Sequence, residues 1–141
     1  MLVLSLVLSL FTVSAFATNV RRVYTDAEDF TYGAEAIDVL TGVGILDGIP
    51  GENETYSFGP DGMFERGQAA KMITIMVAGT TAAKAVEDGG KDSGYDDEPN
   101  WSDPYVRYAS ERGIVHGYGD GTFGPTDPVT GAAAAKMLLV A

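Results

Sequence analysis

Ala69-Ala70-Lys71-Met72 returns as Ala134-Ala135-Lys136-Met137, and the tripeptide upstream of it, Phe58-Gly59-Pro60, returns as Phe123-Gly124-Pro125, both 65 residues later. Nearer the start, Gly44-Ile45-Leu46-Asp47-Gly48 matches Gly113-Ile114-Val115-His116-Gly117 at a spacing of 69 residues. The difference of four is a longer loop in the first copy, Ile49 to Ser57 against Tyr118 to Thr122. Each copy opens with an aromatic residue and an acid, Tyr24-Thr25-Asp26 and Tyr95-Asp96-Asp97. Four blocks recurring in the same order mark a duplicated unit, and the duplication decides the fold.

Each copy reads as helix, loop, helix. In the second, Asp103 is a good N-cap and Pro104 suits the first helical position. Tyr105, Val106 and Ala109 follow at helical spacing, and Gly113 stands where a left-handed residue closes a helix. Ile37, Leu40 and Val43 make the corresponding stripe in the first copy, closed by Gly44. The later helices carry Ala69, Met72, Ile73, Met76 and Val77, and Ala134, Met137 and Leu138, stripes expected to be core. The expected fold class is therefore all-α. The expected domains are a first repeat over 24–79, a flexible linker over 80–94 and a second repeat over 95–141. The linker expectation rests on the four glycines and alternating charge of Gly79 to Gly94, although Ala82 to Val86 has weak helical character.

Composition removes most chemistries. The 141 residues hold nine Lys plus Arg against twenty Asp plus Glu, one His and no Cys, for a net charge of −11. Nucleic acid and anionic membrane surfaces are poor partners for such a chain. Without cysteine there is no disulfide framework, thiolate zinc site or cysteine nucleophile. A single histidine argues against a histidine-based zinc site or catalytic triad. Residues 1–17, MLVLSLVLSLFTVSAFA, are uncharged and end in Ala-Phe-Ala, the pattern of a secretory signal peptide lacking its basic start. The run is shorter than the ~20 residues of a spanning helix, so no stable membrane insertion is expected after its removal.

The second helix of each copy opens with half of a capping box. Copy one has Glu65 at the cap and Gln68 three residues on; copy two has Thr130 at the cap but Ala133 at the third position. Arg66 lies in the first turn, where a cation opposes the helix dipole; it is either a surface arginine paired with Glu65 or another acid, or an anion contact. Trp101, the one tryptophan, is an aromatic staple at a helix entrance or a platform for a sugar ring. Asp120-Gly121 is most simply a turn, since the alternating acidic ligands of a calcium loop are missing. The remaining acids fall in loops and caps, which argues against a glycosidase built on paired carboxylates and against an enzyme in general.

Taken together, these blocks resemble the S-layer homology (SLH) domain of bacterial cell-surface proteins. The pattern is an aromatic and Asp opening, a Trp, a helix ending in Gly-Ile-Val/Leu-x-Gly, a Gly/Asp loop into Phe-Gly-Pro, and an Ala-Ala-Lys-Met helix. The resemblance implies tandem SLH repeats forming part of a pseudo-threefold helical bundle. It implies non-covalent anchoring of an exported protein to a secondary cell-wall polysaccharide, often through pyruvylated sugars, with no cofactor or metal. On matching positions it points to Arg66 as the contact to an acidic sugar, the helix amides beside it receiving the sugar carboxylate. It assigns Glu65 and Thr130 to the motif threonine, Gln68 to the motif glutamate and Trp101 to the aromatic at the helix entrance. Asp26 and Asp97 match the opening acid, and Gly48 and Gly117 the loop glycines near the groove. Gly131 and Ala133 replace the motif Arg and Glu in copy two. The alternative is therefore a structural module packing with other SLH repeats or copies of itself, wall binding being vestigial.

Overall fold

The computed structural model describes residues 24–30, 32–89, 92–97 and 101–141, so the signal-peptide expectation for residues 1–17 lies outside the described residues. Five helices carry the fold: α1 (Ala34–Gly42), α2 (Arg66–Ala78), α3 (Thr80–Asp88), α4 (Asp103–Glu111) and α5 (Gly131–Val140). A two-residue antiparallel ladder, β1 (Ile49–Pro50) with β2 (Tyr56–Ser57), closes the longer loop of the first copy. Its tip returns through Gly51 N–H donating to Thr55 O. In copy two the same job takes only Tyr118 N–H donating to Thr122 O, so the four extra residues became a hairpin tip.

The two copies repeat one another atom for atom at several places. Tyr24 Oη meets Thr41 Oγ1 at 2.7 Å, and Tyr95 Oη meets Ser110 Oγ at 2.8 Å. Ile45 N–H donates to Leu40 O at the end of α1, and Ile114 N–H to Ala109 O at the end of α4, around the left-handed Gly44 and Gly113. Only a glycine accepts that φ without strain.

The core, however, does not lie within a copy. Helix α2 of the first copy packs most extensively on α4 of the second, and more lightly on α5. The buried cluster joins Ala69, Ala70, Ile73 and Ile75 of α2 to Tyr105, Val106 and Ala109 of α4, with Ile114, Val115 and Phe123 from the loop of copy two and Met137 from α5. Close approach depends on Gly67, where a Cβ would stand 2.9 Å from Ser102 Oγ and 3.1 Å from Pro125 O. Deep in the contact, Thr74 Oγ1 donates to Tyr105 O.

Two expectations are corrected here. The segment 80–94 is not a flexible linker over its first part: Thr80–Asp88 is helix α3, which packs on α2 and α4 with Ala83 in the core. Its nine residues contain no Gly or Pro, and Gly79, at φ 75°, turns the chain out of α2 and into it. Of the four glycines that signalled a linker, Gly89, Gly90 and Gly94 follow Asp88. Second, Val43, Met76, Val77 and Leu138, expected in the core, are exposed: among the described residues α1 and α5 lack the kind of helix partner that α2 and α4 find in each other, and Met76 and Val77 of α2 line an open hollow with Leu138.

Gly67→Ala should overpack the α2–α4 contact and cost about 1–3 kcal/mol, read as a lowered midpoint in thermal or urea unfolding. An unchanged midpoint would mean that the two helices separate without penalty.

Candidate functional site

Arg66 is the first residue of α2, yet its partners all lie in the other copy. Its Nε donates to Phe123 O at 2.9 Å and its Nη2 to His116 O at 2.9 Å. The guanidinium also lies 4.6 Å from the Phe123 ring centre and 4.8 Å from that of Tyr118. A planar fork can bridge two carbonyls while stacking on rings; an ammonium cannot. The helix amides beside it are equally engaged: Arg66 N–H donates to Asp127 O and Gly67 N–H to Pro125 O. Orphan first-turn donors of α2 are thus satisfied by the loop of copy two. The arrangement ties the copies together, and among the described residues no acid partner of Arg66 is seen.

The opening acids have the same structural character. Asp26 Oδ1 and Oδ2 accept from Phe58 N–H at 2.8 and 3.1 Å, and Oδ2 also from Gly59 N–H at 2.7 Å. Asp97 accepts from Phe123 N–H at 2.8 Å and Gly124 N–H at 2.6 Å. Amides of Gly59 and Phe58 hold the Asp26 carboxyl below its ordinary value. At Asp97 partial desolvation pushes the other way, but the Phe123 and Gly124 amides outweigh it and the result is again lowered. Each acid clamps a Phe-Gly-Pro turn, which gives Asp26 and Asp97 an internal role.

Gly48 and Gly117 are glycines because the opening tyrosines lie against them. A Cβ at either would approach the Tyr24 or Tyr95 ring within 2.5 Å. The half-motifs at the caps both work as caps: Gln68 Oε1 accepts from Glu65 N–H, and Thr130 Oγ1 accepts from Ala133 N–H. Asp120 is the expected turn, accepting from the Thr122 hydroxyl and N–H, which lower its pKa.

The structure brings together a subset of the expected residues. Gly48, Glu65, Gln68 and Trp101 line one groove of about 960 Å³, and Arg66, Asp26, Asp97, Gly117 and Thr130 do not. One wall comes from α1 and the loop of copy one, through Ala36, Ile37, Leu40 and Phe58 to Pro60. The opposite wall comes from α2 and α4, with Gln68, Lys71, Met72, Trp101 and Tyr105. Trp101 is 51% exposed, so its indole is neither core nor a covered staple. Two wall residues were not singled out as site residues. Lys71 Nζ sits 3.0 Å from Asp47 Oδ2 and 5.7 Å from the Tyr105 ring centre. The Tyr105 phenol is pushed up to about 12 by burial and by Glu87, and stays a neutral hydrogen-bond donor. Lys71 is part of the repeated Ala-Ala-Lys-Met block, a signal that marks the duplication without assigning the lysine a role. Outside the groove, Tyr118 Oη donates to Asp127 Oδ2, which raises the phenol's pKa.

A family model described as the S-layer homology domain matches residues 94–135. An uncharacterized cell wall amidase of Bacillus anthracis is 33% identical over 96 residues, 68% of this chain and 16% of the relative. The chain thus spans under a fifth of the length of that relative. No solved structure matches it significantly. Among the described residues no helix is long and apolar enough to cross a membrane.

Two outcomes test the site's construction. Arg66→Ala should cost about 1.5–3 kcal/mol, the worth of hydrogen bonds to a charged group, and Arg66→Lys should restore little of it. Full rescue by lysine in urea unfolding would show that charge alone matters. Because Asp26 and Asp97 have folded pKa values below 3.8, their stabilisation is complete above that value and is lost as pH falls through the lowered ones. The unfolding midpoint should therefore drop in acid, and Asp26→Asn with Asp97→Asn together should flatten the drop; a slope identical to wild type would remove the clamps from the account.

Proposed function

From the premise that residues 94–135 are an S-layer homology domain, a module of cell-surface association, we propose that the chain holds an exported protein non-covalently to a bacterial cell-wall polysaccharide. The observation that carries the reading is the exposed Trp101 set in the groove wall beside Gln68, Lys71 and Tyr105. An aromatic face covers the apolar side of a sugar ring, while amide, carboxylate and phenol groups around it exchange hydrogen bonds with hydroxyls. Glu65, Asp47 and Glu87 share the groove, so the neutral hydroxyl-rich part of the polymer suits most of it. An acidic substituent is directed to Lys71, the cation in the wall. At a net charge of −11 the protein as a whole repels an anionic wall, but salt screens that beyond about 8 Å while hydrogen bonds act at contact.

In this reading Arg66 contributes by holding α2 against the second loop, which sets Gln68 and Lys71 at the groove. It is a positioning residue. The name of the Bacillus anthracis relative supports a cell-wall setting, and the binding role assigned here needs no catalytic group in this chain.

Co-sedimentation with purified cell-wall sacculi tests the proposal. Wild type should pellet with the walls, and Trp101→Ala should lower retention about tenfold, the loss of roughly 1.4 kcal/mol. Lys71→Ala should weaken retention only where the polymer bears acidic substituents. No retention of wild type, or equal retention of wild type and Trp101→Ala, would overturn it.

A further inference from the structure

One ion pair crosses the groove from wall to wall. Asp47 belongs to the wall of copy one and Lys71 to the α2 wall, and Lys71 Nζ donates to Asp47 Oδ2 at 3.0 Å. Both residues have a firm seat. Asp47 precedes Gly48, which is held at φ 73° with the Tyr24 ring against it. It follows Ile45 and Leu46, whose N–H groups both donate to Leu40 O. Lys71 follows Ala69 and Ala70, whose burial against α4 fixes the helix that carries it. Copy two has His116 at the position of Asp47, so the carboxylate is a feature of copy one alone.

This pair decides how much positive charge a ligand meets. Among the residues that line the groove, the cation is Lys71, and the acids are Asp47, Glu65 and Glu87. The Lys71 and Asp47 side chains are 31% and 51% exposed, so their pair is a weak one that exchanges partners readily. An ammonium has three N–H donors, and a ligand carboxylate can reach Nζ without expelling Asp47. It then lies beside a second carboxylate, and the repulsion between the two offsets much of the attraction to Lys71. A sugar hydroxyl accepts from the same Nζ without that penalty.

We propose that Asp47 is a specificity-determining residue of the groove: its carboxylate cancels the charge of Lys71, so that the groove favours neutral, hydroxyl-rich sugar and holds a carboxylate-bearing sugar weakly. The inference rests on the polysaccharide reading and deepens it. Asp47 acts through Lys71, which it both neutralises and positions.

Co-sedimentation of the whole chain with two preparations of the same purified sacculi tests this, one native and one with its carboxylates capped as methylamides. Asp47→Asn keeps the size of the side chain and removes its charge. It should raise retention on native sacculi about threefold to fivefold, the worth of an exposed ion pair, and match wild type on capped sacculi, which also shows that the variant folds. Asp47→Glu should behave as wild type on both. Glu52→Gln makes the same change in net charge at the exposed hairpin tip, outside the groove lining, and should leave retention on native sacculi unchanged. With Lys71→Ala already in place, Asp47→Asn should lose most of its gain. No gain from Asp47→Asn, an equal gain from Glu52→Gln, an undiminished gain without Lys71, or loss of Asp47→Asn from both preparations would each overturn the proposal. In those cases retention of wild type would still uphold the polysaccharide reading, whereas wild type retained on neither preparation would overturn both.

Discussion

The contact between α2 and α4 is the constraint from which the rest follows. It joins the second helix of one copy to the first helix of the next, and it is tight enough that Gly67 has no room for a methyl group against Ser102 and Pro125. Most of the buried apolar side chains belong to it or to the loop that closes over it. The largest buried cluster spans both copies, while Tyr24, Phe30 and Phe58 pack into a smaller aromatic cluster within copy one. The unit of folding is therefore the junction, and the unit of sequence repetition is not.

Arg66 makes sense within that constraint. A guanidinium in the first turn of a helix is unfavourable with respect to the helix dipole, yet this one finds two carbonyls and two aromatic rings in the facing loop. Hydrogen bonds from a charged donor are stronger than neutral ones, and stacking keeps the planar group where it can make both. Copy two has Gly131 at the same position. Among the described residues no loop carbonyl accepts from the first amides of α5, so an arginine there would find no carbonyl pair among them to bridge.

The loops work by the same economy of groups. Asp26 and Asp97 satisfy turn amides, the opening tyrosines lie flat against Gly48 and Gly117, and Phe58 and Phe123 fill the space beneath. Residues that a family pattern associates with a ligand are here the ones that shape the loop. What faces the open groove is set one layer further out: Trp101, Gln68 and Lys71. The amidase resemblance and the family match bear on the setting of the chain, and the groove bears on what it does there.

Read alone, the sequence established the duplication, its helix–loop–helix content and the glycines that end α1 and α4, because periodicity, caps and left-handed turns are local properties. Its ordered blocks also resembled the S-layer homology domain, whose family model matches residues 94–135. The pairing of helices across the copies was decided only by the tertiary structure. An apolar stripe states that a helix must be covered but carries no label for its partner, so Val43 and Leu138 read as core although they are exposed. Helix α3 was legible only as the weak helical character of Ala82 to Val86 for a related reason: its alanine face is short and shows itself as core only when α2 and α4 are in place. The partners of Arg66 lie fifty and fifty-seven residues away, beyond any local pattern, and only the packed chain could show whether its charge met an acid, a ligand or a pair of carbonyls.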